Sequence, residues 1–163
     1  MAHIIVPFEK IFGRKIFDCG VPALNRYLKE QASQDIRNHY TVIFVALEEQ
    51  TKEIIGFYTL SNAGVALDAI PGEIKAKLPK YPEVPAIRIG RLAVDKSMHR
   101  NKLGSELLAN AIHRSIRNVT TGWAMMIVDA KNEQAAAFYK KFGFIEFYDD
   151  THHLFIMRRT LET

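Results

Sequence analysis

The sequence of 163 residues holds a single cysteine, Cys19, which excludes an internal disulfide and a cysteine–histidine zinc framework. A chain so poor in thiols suits a reducing compartment. Nothing in it approaches the roughly 20 consecutive apolar residues that span a bilayer. The opening run Met1–Pro7 is too short for a secretory signal, so the cytosol is the expected location. Six prolines and nine glycines are scattered rather than clustered and no segment repeats, so a single domain over 1–163 is expected. Nor is there a dense charge of one sign. The 22 Lys and Arg against 18 Asp and Glu leave +4, which favours anionic partners, phosphate-bearing ligands first, without the density of a protein that coats nucleic acid. What remains is the make-up of a folded core: 48% apolar and 25% charged residues exclude disorder and collagen-like classes.

Periodicity supplies the elements. Pro22 stands where a helix starts, and Leu24, Tyr27, Leu28, Ala32 and Ile36 recur at helical steps. Thr41–Leu47 and Ile54–Leu60 are rich in strand formers and flank a polar turn, the pattern of an antiparallel hairpin. From Ala66 to Pro85 four prolines mark an excursion with a short helix at Glu73–Leu78. Ala86–Val94 reads as a strand, and Leu103, Leu107, Leu108, Ala111, Ile112, Ser115 and Ile116 form one stripe of a long helix. A strand at Met125–Val128, a helix at Asn132–Lys141 stopped by Gly143, and strands at Ile145–Tyr148 and His153–Met157 complete the order. That order fits an α/β (α+β) fold, a mixed central sheet flanked by helices.

Two segments carry chemistry. His99, Arg100, Asn101, Lys102, Leu103, Gly104 and Ser105 place successive backbone N–H groups and basic side chains at a helix start, a cradle for a pyrophosphate or an ordinary basic connection. Asn132 caps a second helix, whose Ala135 leaves room beside it and whose Phe138 and Tyr139 are either core aromatics or the wall of a cleft. Together the segments resemble the GNAT superfamily of acetyl-CoA-dependent N-acetyltransferases. There a Q/R-x-x-G-x-G/A loop after the fourth strand holds the pyrophosphate of CoA, and a later N-x-x-A-x-x-F-Y-x-x-x-G-F helix completes the site. Asn132 to Phe144 matches the second pattern in full; in the first, Gly104 matches the final glycine while Lys102 and His99 stand where Gly and Gln or Arg are usual. The resemblance implies acetyl-CoA as co-substrate, pantetheine pairing along Leu92, Ala93 and Val94, and Tyr139 as the acid for the departing thiolate.

A narrower resemblance joins the run from Phe17 to Leu28, Gly56–Ser61 and Ile89–Asp95 to the GNAT-type toxins of bacterial type II toxin-antitoxin modules. It implies acetylation of the α-amine of aminoacyl-tRNA, neutralisation by a ribbon-helix-helix antitoxin, and a homodimer. The chemistry agrees: an α-amine with pKa near 7.7–8.0 needs little help from a base, and the strand Ala86–Val94 offers none. Val94 N–H is the expected oxyanion donor, Arg91 the expected RNA contact, and Ser61 with Asn62 the expected neighbours of the aminoacyl group. No metal is expected, since the adjacent His152 and His153 would point to opposite sides of a strand. Acetylation of a small amine or a protein N-terminus, and a catalytically silent binding module, remain as alternatives.

Overall fold

The computed structural model describes residues 2–148 and 150–163. Seven strands are described: β1 (His3–Pro7), β2 (Val42–Glu48), β3 (Ile54–Ala66), β4 (Glu83–Val94), β5 (Met125–Asp129), β6 (Ile145–Phe147) and β7 (Asp150–Met157). They form one mixed sheet in the order β1-β2-β3-β4-β5-β7-β6. The pairs β1–β2, β2–β3, β5–β7 and β6–β7 run antiparallel, whereas β4–β5 is parallel, as a connection through a helix requires. The helices are α1 (Pro22–Arg26), α2 (Ala32–Arg37), α3 (Gly72–Lys75), α4 (Leu103–Asn118), α5 (Glu133–Lys141) and α6 (Arg158–Leu161). The expected mixed sheet with flanking helices is therefore present. The chain divides into two compact units, one of Met1–Ser61 with Gly90–Asn118 and the other of Asn62–Ile89 with Val119–Thr163.

In the first unit the expected hairpin forms, with Val42 opposite Leu60 and Phe44 opposite Tyr58. β1 adds to its outer side, His3 opposite Glu48 and Pro7 opposite Phe44. No strand is assigned there from the sequence. The expected helix from Pro22 is present but not uniform: α1 and α2 are joined by a π-helical turn at Tyr27–Gln31. Its buried side chains meet the sheet in a cluster that includes Phe17, Tyr27, Leu28, Val45 and Phe57. Along α4 the expected stripe buries Leu103, Leu107, Leu108, Ala111 and Ser115. Gly56 sets its approach, since a Cβ there would lie 2.9 Å from Leu107 Cδ1 and 3.2 Å from the Ala93 carbonyl oxygen. The buried Tyr58 hydroxyl donates to Asn110 Oδ1 at 2.7 Å, and Arg114 Nε donates to the same oxygen at 3.1 Å.

In the second unit β5 is buried along Met125–Val128 and pairs with Ala86–Ile89 of β4 on one side and with β7 on the other. Its core gathers Val65, Ile70, Ala86, Met125, Ile127, Phe147 and Phe155. The proline-rich excursion keeps a short α3 at Gly72–Lys75, earlier than the expected Glu73–Leu78, and Leu67 N–H ties it to the Pro82 carbonyl at 2.9 Å. Beyond Pro82 the sheet resumes sooner than expected. Pro85 lies inside β4, where its carbonyl accepts from Ala124 N–H at 2.9 Å.

Candidate active site

The end of β4 and the start of α4 are joined by a turn whose geometry is fixed by carboxylates. Asp95 Oδ2 accepts from Ser97 N–H at 3.0 Å and from Ser97 Oγ at 2.7 Å, capping a single 3₁₀ turn at Lys96–Met98. Its other oxygen accepts from Asp18 N–H at 2.9 Å. Asp18 in turn accepts from Gly20 N–H at 2.9 Å and Asn25 Nδ2 at 3.0 Å, and pairs with Lys96 Nζ at 3.2 Å. These contacts hold the Asp18 carboxyl down at about 2, the Gly20 N–H contributing most. The Asp18–Asn25 segment and the loop after β4, remote in sequence, are thus one clamped assembly.

Within the loop, His99 Nε2 donates to the Val94 carbonyl at 2.8 Å, so the histidine closes the turn. Arg100 and Asn101 are exposed. Lys102 takes φ 58°, the left-handed conformation that glycine adopts without penalty, and its carbonyl accepts from Glu106 N–H at 3.1 Å. It therefore stands at the N-cap of α4. The N–H groups of Leu103, Gly104 and Ser105 are the first of the helix and find no acceptor among the described residues. Three converging N–H dipoles, the positive end of a 16-residue helix and the exposed Arg100 and Lys102 side chains fit a pyrophosphate. The lysine supplies by strain the turn that a glycine would supply freely.

On β4, Asp95 N–H donates to the Ile55 carbonyl at 2.9 Å, so by strand alternation Val94 N–H points to the opposite edge. The β4–β5 ladder stops at Ile89 opposite Val128, and β4 runs on through Leu92, Ala93 and Val94 without a partner from β5. Arg91 is half-buried, its guanidinium carbon 3.5 Å from the centre of the Tyr27 ring. Ser61 belongs to the same unit, but β3 continues to Ala66, so Ser61 and Asn62 lie within the strand and not at the strand end assumed from sequence.

The remaining expected residues lie in the second unit. Asn132, in extended backbone, accepts from Ala135 N–H at 2.8 Å and caps α5 as its sequence position implies. Phe138 is half-buried and packs against Tyr139 and Phe142. Tyr139 is buried, its ring 5.6 Å from that of Phe144, and its hydroxyl has no hydrogen-bond partner among the described residues. Burial pushes its phenol well above the usual tyrosine value, so it stays protonated at neutral pH.

The sequence reading did not assign the carboxylates of Asp18 and Asp95 or the ring of Tyr27, all of which position named site residues. Their spacing carries no local signal, because each acts across the fold. A cavity of about 770 Å³ in the first unit, lined by Glu48, Glu49, Glu53 and Asp95 among others, has the wrong charge for a phosphate-bearing ligand. Among the described residues no group of three or more His, Cys, Asp or Glu could hold a metal ion, and no helix is long and apolar enough to cross a membrane.

A "tRNA-acetylating toxin" of Mycobacterium tuberculosis (strain ATCC 25618 / H37Rv) is 32% identical over 144 residues, 88% of this chain and 84% of that protein. The structure of AtaT complexed with acetyl-methionyl-tRNAfMet superimposes with a TM-score of 0.88 at 27% identity, covering 99% of this chain and 98% of that one. The crystal structure of AtaTR bound with AcCoA gives 0.83 at 28% identity, covering 98% and 96%. A mutant AtaT toxin bound to the C-terminus of the antitoxin AtaR gives 0.80 at 25%, again covering 98% and 96%. Residues 10–144 match the acetyltransferase (GNAT) family, and the chain belongs to that family.

Proposed function

We propose that the protein transfers the acetyl group of acetyl-CoA to the α-amine of an aminoacyl-tRNA and, by blocking that amine, acts as the toxin of a type II toxin-antitoxin pair. The observation that carries this reading is the likeness, over 99% of the chain, to a toxin solved with an acetylated methionyl-tRNA. The site geometry supports it. Leu103, Gly104 and Ser105 N–H would hold the pyrophosphate, with His99, Arg100, Asn101 and Lys102 shaping the turn around it and Leu92–Val94 offering a free strand edge to the pantetheine arm. The resemblance to the family also assigns Asn132, Ala135 and Phe138, around the capped start of α5, to the binding of CoA.

The thioester supplies an activated acetyl group. Val94 N–H is the donor for the charge that develops on its carbonyl oxygen. A neutral α-amine needs no strong base, and in the balanced reaction one proton leaves the amine and one arrives on the thiolate. Tyr139, fully protonated and otherwise unbonded, provides the arriving proton and is reprotonated from the amine side. Transfer from a phenol to a thiolate of lower pKa is uphill on its own, so the step must be coupled to amine deprotonation. Arg91 meets the RNA backbone, and of Ser61 and Asn62, which are adjacent within β3 and point to opposite faces, one contacts the aminoacyl group. The antitoxin bound to a similar toxin supports an antitoxin partner here; a ribbon-helix-helix type, a homodimer and the cytoplasm as the place of action complete the reading.

Labelled acetyl-CoA offered to aminoacylated total tRNA, uncharged tRNA and free amino acids tests the proposal. Label on charged tRNA alone is expected; label on free small amines, or none despite acetyl-CoA binding, would replace it with one of the other readings.

A further inference from the structure

Arg91 is a half-buried cation of the first unit. Its guanidinium carbon sits 3.5 Å from the centre of the Tyr27 ring, the separation of a face-on stack. No carboxylate within ion-pair distance and no hydrogen bond engages its N–H groups among the described residues. One face is therefore covered while the in-plane donor edge has no partner. The ring beneath is itself held: Tyr27 Oη donates to Asp35 Oδ2 at 2.8 Å, and Gln31 Nε2 donates to Asp35 Oδ1 at 2.9 Å. Gln31 and Tyr27 together bring the Asp35 carboxyl below the usual carboxylate range against its burial, and Arg91 adds to that lowering.

The backbone explains how residues eight apart meet. Eight residues of a regular α-helix overshoot two turns by roughly 80°, which would set Tyr27 and Asp35 at the two margins of one broad stripe. The π-helical turn at Tyr27–Gln31, closed by Ala32 N–H on the Tyr27 carbonyl, takes in one extra residue and removes most of that offset. The turn thereby brings Tyr27 and Gln31 to the same Asp35 carboxylate while the Tyr27 ring lies against Arg91.

We infer that Tyr27 and Asp35 are positioning residues for RNA recognition: they hold the Arg91 guanidinium flat, with its donor edge presented to a phosphodiester of the RNA substrate. This rests on the reading of Arg91 as an RNA contact. A fork so held recognises a phosphate in two-pronged fashion, which an ammonium cannot copy.

The sign of one substitution separates positioning from plain charge. Removing the Asp35 carboxylate raises the local positive potential, and by Coulomb attraction alone would lower the KM for charged tRNA. The inference requires the opposite: with aminoacylated total tRNA as substrate, Asp35→Ala raises that KM several-fold and leaves the KM for acetyl-CoA unchanged. Asp35 is a half-exposed position of α2, so the variant keeps its core packing, checked by thermal melting. Arg91→Ala raises the KM about tenfold and lowers the salt slope of RNA binding by about one. Arg91→Lys recovers the slope but not the KM. Tyr27→Phe, which keeps the ring, changes less than Asp35→Ala combined with Tyr27→Leu. An unchanged KM for tRNA in Arg91→Ala would overturn the RNA reading of Arg91 itself. A raised KM there, with an unchanged or lowered KM in Asp35→Ala, would overturn the positioning role alone.

Discussion

Lys102 holds a left-handed backbone at the N-cap of α4, a conformation that costs a side-chain-bearing residue about 1–2 kcal/mol. Lys102→Gly relieves that strain while adding about 0.4–1 kcal/mol of unfolded-state entropy, so Tm should rise by about 1–3 °C. The same change removes an ammonium from the cradle and should raise the KM for acetyl-CoA; a lowered Tm would contradict the strain assignment. Tyr139→Phe should leave acetyl-CoA affinity intact and reduce transfer by about 10²–10⁴-fold, and near-normal turnover would remove the hydroxyl from the acid role. Asp18 has a folded pKa of about 2, below the ordinary aspartate value of 3.8, so its contribution to stability is fully present above the unfolded value. It is lost as the pH falls from about 4 through about 2. Asp18→Asn should therefore flatten the acid limb of a stability-versus-pH curve in that window, and an unaltered limb would show the clamp to be idle.

At the scale of elements, the close approach of α4 to β3 depends on Gly56. A methyl group there meets Leu107 Cδ1 at 2.9 Å and the Ala93 carbonyl at 3.2 Å, and backbone cannot yield as a side chain does. Gly56→Ala should destabilise by about 1–3 kcal/mol in denaturant unfolding, and a neutral result would mean that α4 shifts freely. The stripe of α4 and the β2–β3 hairpin were legible in the sequence because each buries one face over many residues, long enough for a period to show. β1, at the sheet edge, was not read from the sequence. The π-helical turn was also hidden: Leu24, Tyr27, Leu28 and Ala32 recur at steps compatible with a plain helix, and only the bond from Ala32 N–H to the Tyr27 carbonyl shows that one residue is inserted. The same limit applied at the site. The segments His99–Ser105 and Asn132–Phe144 were readable as local patterns, whereas the Asp18–Asp95 clamp joins positions far apart in sequence and has no local spacing to find.

The whole molecule carries only +4, so any affinity for RNA must come from a few placed cations rather than from a general field. That restraint suits an enzyme that must release its acetylated product. On the proposed reading, a small number of phosphate contacts means a modest salt slope, and acetyl transfer at the 3′ end is the property to test. The most direct test of that chemistry is the mass of the aminoacyl-adenosine released by nuclease from tRNA incubated with the protein and acetyl-CoA. One acetyl group on the aminoacyl moiety, at its α-amine and absent from uncharged tRNA, is the predicted result; an acetyl group on a nucleotide, or an unmodified aminoacyl-adenosine from active protein, would contradict the account.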